Sequence, residues 1–315
     1  MHEQLSLGSP TRFLSVLDFD PLTLETCLDL AASLKAARAA GRRHVRPLEG
    51  RHVALLFEKP SLRTRSTFQI AVHELGGDVI EPPPDVVLGG RESVADVARN
   101  LERWVYGAVI RTFAQARLEE FADAAPSLRV VNALTDEEHP CQALADCLTL
   151  IDTWGGLRGR TIAFVGDGNN VAASLAQAAA MLGATVRVAS PVGFELPHPV
   201  RESVGAVARF GGGVVVTNDP IEGVFGADAV YTDVWASMGQ ESEADARRHA
   251  FAPFQVNARL MAHAAPEALF MHCLPAHRGD EVTDEMIDSP VSVVFDQAEN
   301  RLHTQKALLA ILAGE

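Results

Sequence analysis

The chain has 315 residues, 47% hydrophobic and 22% charged, which is too apolar for a disordered chain and long enough for two hydrophobic cores. Its 41 acidic residues outnumber the 27 basic ones, for a formal charge of −14. A surface that acidic repels phosphate backbones and argues against a nucleic-acid partner. No apolar run of about 18 residues is present, so no membrane span is expected. The first ten residues lack the basic stretch and apolar core of a signal peptide. Four cysteines, Cys27, Cys141, Cys147 and Cys273, have no metal-type spacing. They read as reduced thiols of a cytoplasmic protein with no bound metal.

In chain order, short apolar runs alternate with helical stretches. Strands are expected at His52–Glu58, Asp78–Glu81, Ala108–Thr112 and Arg129–Asn132, with amphipathic helices such as Thr67–Leu75 and Val94–Trp104 between them. The scheme repeats with Thr161–Val165, Thr185–Ala189, Gly213–Thr217, Ala229–Thr232 and Leu269–His272. A last helix over Thr304–Ala313 follows the apolar run Val293–Asp296. Such alternation implies crossover units and parallel sheets. The expected fold is α/β, with two doubly wound domains, each a parallel sheet flanked by helices. The C-terminal helix is expected to pack back on the first domain. The break is placed at Trp154-Gly155-Gly156, after a helix rich in Leu144, Leu148 and Ile151. This gives domains 1–153 (plus the terminal helix, 302–315) and 154–301.

In such sheets ligands bind beyond the carboxyl ends of the strands, so the residues there carry the functional reading. After the first of these strands comes Lys59-Pro60-Ser61-Leu62-Arg63-Thr64-Arg65-Ser66-Thr67. A hydroxyl N-cap, further hydroxyls and two guanidiniums at a helix N-terminus make an anion site. The plain alternative is a capped helix with solvated arginines. Yet two arginines at the N-terminal end oppose the helix dipole and call for an anion to compensate them. Arg111 ends Val109-Ile110-Arg111-Thr112 at the same kind of edge, as a ligand contact or as a surface arginine. His139 and Gln142 open another helix, with Pro140 suited to its first turn. His139 suits donation to a carbonyl oxygen that becomes negative during attack, or simple helix capping.

Gly166-Asp167-Gly168-Asn169-Asn170-Val171 superficially matches a dinucleotide fingerprint. Val171 replaces the third glycine, and Ser190 ends the next strand where an acidic residue is wanted, which argues against NAD. Asn170 reads as a polar substrate contact, in a turn whose helix is capped by asparagine. Asp233 follows a buried strand and suits a substrate ammonium, with Ser237 at its polar end, or else it caps a turn. Cys273 beside His272 hints at nucleophilic catalysis, but neighbours on a strand point to opposite faces. A buried inert thiol is the bland reading.

Four segments occur in order: Ser61-Leu62-Arg63-Thr64-Arg65, His139-Pro140-Cys141-Gln142, Asp233-Val234-Trp235-Ala236-Ser237-Met238-Gly239 and His272-Cys273-Leu274-Pro275-Ala276. Together they resemble the aspartate/ornithine carbamoyltransferase family over nearly the whole chain, and the last two resemble its ornithine branch. The resemblance implies transfer of a carbamoyl group from carbamoyl phosphate to the side-chain amine of L-ornithine, without a cofactor. It assigns carbamoyl phosphate to the first domain and ornithine to the second. It implies carbamoyl-phosphate contacts from Ser61, Leu62, Arg63, Thr64, Arg111, His139, Gln142, Cys273, Leu274 and Arg301. Ornithine contacts are implied from Asn170, Asp233, Ser237 and Met238, with Cys273, Arg111, His139 and Asp233 at the reacting centre. A cis Leu274–Pro275 bond and a homotrimer, or a higher assembly of trimers, are implied as well.

Two departures stand out. Leu62 replaces the first Thr of the usual Ser-Thr-Arg-Thr-Arg, keeping only its backbone N–H. Val87 occupies the place of a Gln that often reaches a neighbouring subunit's ligand, with Arg91 as a possible substitute. A carbamoyltransferase for putrescine or an N-acylated ornithine is the alternative reading.

Overall fold

The computed structural model describes residues 10–42, 45–83, 88, 90–236 and 243–314. By packing, the chain forms two compact units, residues 1–134 with 302–315 and residues 135–301. The first holds β1 (Arg12–Phe13), α1 (Pro21–Ala39), β2 (His52–Phe57), α2 (Arg63–Glu74), β3 (Asp78–Ile80), α3 (Val94–Glu102), β4 (Gly107–Arg111), α4 (Gln115–Ala124) and β5 (Arg129–Leu134). The second begins with α5 (Pro140–Trp154), β6 (Thr161–Val165), α6 (Asn170–Met181), β7 (Thr185–Ala189), α7 (His198–Val207), β8 (Gly213–Thr217) and α8 (Pro220–Val224). It continues with β9 (Ala229–Thr232), α9 (Ala244–Phe251), α10 (Ala258–Met261), β10 (Leu269–His272) and α11 (Asp284–Ile287). The last helix, α12 (Val294–Leu312), begins in the second unit and ends in the first. None of the described helices is long and apolar enough to cross a membrane.

Each unit is built on a five-stranded sheet with all strands parallel, in the orders β1-β5-β4-β2-β3 and β10-β9-β6-β7-β8. The strands read as continuous apolar runs because helices cover both faces of a parallel sheet. Ala54, Leu55, Leu56, Ile162, Ala163 and Phe164 are all fully buried. From β2 in the first sheet and β6 in the second, the chain winds outward one way and then returns to the other side of that strand. The order therefore reverses between β2 and β4 in the first unit and between β6 and β9 in the second. Such reversals part the crossover loops and open a crevice at the carboxyl ends of the strands.

The expected two-sheet architecture is present, and β6 to β10 have the expected bounds. The two-residue β1 is an addition. The last helix begins at Val294, well before the expected Thr304. The strand-like signal there belongs to residues just upstream, where Ser292 bridges Phe270 and the Val293 N–H donates to Phe270 O (3.0 Å). Helix α5 ends at Gly155, whose φ of 76° suits a residue without Cβ. The expected break stands there, whereas packing divides the chain after Leu134. The reason is that α5 lies against α6 and Gln297 donates to its Asp146 (2.9 Å).

The end of α12 is held in the first unit by charge. Lys306 is fully buried, and its Nζ donates to Glu74 Oε2 of α2 (2.5 Å), which also takes Arg38 of α1 on its other oxygen (2.9 Å). At the helix C-terminus the Leu312 carbonyl accepts from Arg129 and from the Tyr106 hydroxyl (both 3.4 Å), a cation meeting the negative end of the dipole. Burial alone pushes the Glu74 carboxyl up, but hydrogen bonds from Lys306 and Arg38 hold it below the ordinary 4.5.

Replacing Glu74 by Leu strands a buried ammonium and should cost about 3–5 kcal/mol in chemical unfolding. Lys306→Met should cost clearly less, since Arg38 still serves the partly exposed carboxylate. A carboxylate lowered by folding stabilises above its unfolded pKa and loses that contribution as the pH falls through its folded value. The stability gap between wild type and Glu74→Gln should therefore close below about pH 4.5.

Candidate active site

In the first unit the residues at the β2/β4 reversal form an edge rich in hydrogen-bonding groups. Glu58, just past β2, accepts both terminal nitrogens of Arg117 (3.2 and 3.3 Å) and the Thr112 hydroxyl. Lys59 is buried with its ammonium 4.3 Å from the centre of the Phe113 ring. The N-cap of α2 is Leu62, in helical conformation and without a side-chain hydrogen bond, so the expected hydroxyl cap is absent. Ser61 precedes the cap by one residue because Leu62 has already entered the helical region. Leu62 itself is 78% exposed, an apolar side chain at a polar edge. Thr64 and Arg111 are buried, and Arg63 is partly so. Arg65 does not share the anion site expected of both arginines. It pairs with Glu81 (2.6 Å) and lies over the Phe57 ring, so a protein carboxylate supplies its compensation. Val87 lies outside the described residues.

In the second unit the β6/β9 reversal gathers Asn169, Asp233 and Cys273. Asn169 caps α6, its Oδ1 accepting from Val171 N–H (3.0 Å) and Ala172 N–H (3.2 Å), while its Nδ2 donates to Asp233 Oδ2 (2.9 Å). Asp233 Oδ1 takes the Val234 N–H (2.8 Å) and the Cys273 thiol (3.0 Å). Gly168 shapes this turn, since a Cβ there would lie 2.3 Å from Leu196 N. Asp167 pairs with Arg247 (2.7 Å), which also donates to Trp235 O (2.9 Å) and stands over Phe194. Asn170 donates to Thr135 O (2.6 Å). Ser237 and Met238 lie outside the described residues.

The sequence neighbours His272 and Cys273 do part company. Leu274, at φ 56°, donates its N–H to His272 Nδ1 (2.8 Å), so the ring proton sits on Nε2 and faces Glu281 (3.1 Å). Part of the Cys273 side chain is accessible, yet burial first, and then the negative charge of Asp233, pushes its thiol well above the ordinary 9.0. The thiol therefore stays protonated at neutral pH and donates to Asp233. Asp233, His272 and Cys273 bring donor atoms within 4.8 Å of one another. With His272 engaged at both nitrogens and the thiol protonated, they make a poor metal site. The Leu274–Pro275 bond is cis, as the resemblance implies.

A second group forms where α5 begins. His139 is the N-cap residue, and Pro140 takes the first helical position. The His139 N–H donates to Ser174 Oγ (2.9 Å), whose hydroxyl donates to Glu138. One turn on, Gln142 accepts from Arg301 Nη1 (2.6 Å) and donates to Asp146 Oδ1 (2.8 Å). Burial first pushes the Asp146 carboxyl up to about 6, opposed by hydrogen bonds from Gln142 and Gln297 and by the Arg301 charge. The structure thus joins Gln142 to Arg301 and Asp233 to Cys273. Asp146, Gln297, Ser174 and Arg247 were missed in the sequence. Only Asp146 had a signal there, as an acid on an otherwise apolar helix one turn from Gln142.

Known proteins place these features in a family. Residues 11–152 match the model for the aspartate/ornithine carbamoyltransferase carbamoyl-P binding domain, and residues 158–312 match its Asp/Orn binding domain. An ornithine carbamoyltransferase of Symbiobacterium thermophilum is 51% identical over 95% of this chain and 97% of its own length. That of Thermococcus kodakarensis is 49% identical over 96% of each. The solved structure of the Pyrococcus furiosus ornithine carbamoyltransferase superposes with a TM-score of 0.93 at 46% identity, covering 97% of this chain and 98% of that one. The chain is a member of the aspartate/ornithine carbamoyltransferase family.

Proposed function

We propose that this protein transfers the carbamoyl group of carbamoyl phosphate to the side-chain amine of L-ornithine, giving L-citrulline and phosphate. The observation that carries the reading is the Asp233 carboxylate. It stands at the β6/β9 reversal with a protonated Cys273 thiol on one oxygen and the Asn169 amide on the other. A fixed acceptor of this kind suits an amine or ammonium and repels a second carboxylate, which disfavours aspartate as the acceptor substrate.

In this reading carbamoyl phosphate is held by Ser61, the Leu62 N–H, Arg63, Thr64, Arg111, His139, Gln142, Cys273, Leu274 and Arg301. Ornithine is held by Asn170, Asp233, Ser237 and Met238. The amine nitrogen attacks the carbonyl carbon and loses a proton. The bond from that carbon to the phosphate oxygen breaks, and phosphate leaves with the bonding pair. His139 and the arginines stabilise the growing negative charge, generally the largest catalytic contribution. Arg63 and Arg111 hold the phosphate in place for attack. A side-chain amine of this type has a pKa of about 10.4, so presenting it neutral at pH 7.4 costs roughly 4 kcal/mol. Asp233 and Cys273 orient it, and the thiol takes no covalent part.

The functional division we favour is carbamoyl phosphate on residues 1–153 with 302–315 and ornithine on 154–301. The gap between the two family matches, at residues 152 and 158, supports its limit after residue 153. A homotrimeric assembly, a cytoplasmic setting and a role in arginine synthesis complete the proposal, supported by the family resemblance.

Purified protein with carbamoyl phosphate should form citrulline from ornithine and no product from aspartate, putrescine or N-acetylornithine. Product from another amine alone would overturn the role of Asp233. Asp233→Asn should lower kcat/KM for ornithine roughly 10–150-fold, the worth of a charged hydrogen bond of about 1.5–3 kcal/mol. The neutral-amine requirement makes log kcat/KM for ornithine climb with a slope of about one per pH unit between roughly pH 6 and 8. A flat profile in steady-state assays would refute it.

A further inference from the structure

Asp146 is fully buried one turn beyond Gln142 on α5, and no substrate contact has been assigned to it. Its Oδ1 accepts from two carboxamides at once, Gln142 Nε2 at 2.8 Å and Gln297 Nε2 at 2.9 Å. Each amide then presents its oxygen elsewhere. The Gln142 oxygen accepts Arg301 Nη1 (2.6 Å), and the Gln297 oxygen accepts the His272 N–H (2.9 Å), one residue before Cys273. A carboxamide is nearly symmetric in shape, with a donor end and an acceptor end. An ionised carboxylate only accepts, so it permits one orientation of each amide. Buried charged groups are often no more stabilising than well-packed apolar residues. What Asp146 contributes is direction.

We propose that Asp146 is a positioning residue for carbamoyl transfer: it sets the amide orientation of Gln142, and through it the Arg301 guanidinium, and ties both to the strand end that carries Cys273. This rests on the reading of Gln142 and Arg301 as carbamoyl-phosphate contacts. Protonation at Oδ2 would leave Oδ1 a neutral acceptor and weaken both charge-assisted amide bonds. The groups facing it are Cys147 on α5, Tyr231 on β9, Cys273 beyond β10 and Arg301 on α12. The two thiols and the phenol are all pushed up by burial and stay uncharged, leaving Arg301 as the charged neighbour. Acidification through about 6 therefore acts at Asp146 itself.

The test measures kcat and the KM of each substrate across that pH range for wild type, Asp146→Leu and Asp146→Asn, beside their unfolding midpoints. Asp146→Leu should fold and raise the KM for carbamoyl phosphate roughly 10–100-fold, with the KM for ornithine nearly unchanged. Asp146→Asn keeps an accepting oxygen without its charge and should raise that KM only to the level the wild type reaches below about pH 6. It should also lack the rise in carbamoyl-phosphate KM that the wild type shows below about pH 6, which separates Asp146 from the substrate's own ionisation. A folded Asp146→Leu with unchanged kinetics, or with both KM values raised alike, overturns the proposal. So does an Asp146→Asn variant with the wild-type acid limb, and that arm decides the matter if the Leu variant does not fold. A wild type that transfers no carbamoyl group sinks the functional reading, and this inference with it. Active wild type with unaffected variants sinks the inference alone.

Discussion

A parallel sheet covered by helices on both faces has no wet side, and this constraint governs where chemistry sits in the protein. Ala54, Leu56, Val109, Phe164 and Val188 are all fully buried along their strands. A charge at any of these positions would lose its hydration with nothing to replace it. Polar side chains are driven to the strand ends, where helix N-termini also bring unpaired N–H groups. The strand order reverses between β2 and β4 and again between β6 and β9. The carboxyl ends there are where Ser61 to Thr64, Arg111, Asn169 and Asp233 are found.

The second consequence is electrostatic. Charges that do enter the interior come with partners already in place: Lys306 with Glu74, Arg247 with Asp167, Glu281 with the His272 ring N–H, and Asp146 with two amides. In a medium of low polarity such pairs hold their geometry firmly and are costly to break. Groups that must meet a substrate therefore need not reorganise when it arrives. The same effect decides the chemistry of Cys273. Set beside the Asp233 carboxylate, its thiol keeps its proton and donates it, so a Cys–His sequence pair becomes two separate devices.

Strands were the most legible part of the sequence. Buried on both faces, they appear as short unbroken apolar runs, and β6 to β10 were read to the residue. Helix starts were harder. The first turns of α2 and α6 carry Arg63, Asn170 and other polar residues that serve the strand edge, so the apolar periodicity begins only later. At α12 the run around Val293 reads as a strand because residues just before it do lie along β10. Of the site, the residues at strand ends were named, because the fold dictates that position. Their supports were not. Asp167 and Arg247, or Asp146 and Gln297, lie far apart in sequence, and neither member of such a pair signals the other.

The sequence alone determined two wound α/β sheets, the loops that carry the chemistry and the family resemblance, because all three are written in local runs and short motifs. Tertiary structure decided that Arg65, at the head of α2, is satisfied by protein through Glu81. It also decided that Cys273 is a donor, and that one buried carboxylate orients Gln142 and Gln297 together. The physical reason is that hydrogen-bond direction and pKa depend on neighbours within a few ångströms. In a crossover fold those neighbours come from distant parts of the chain.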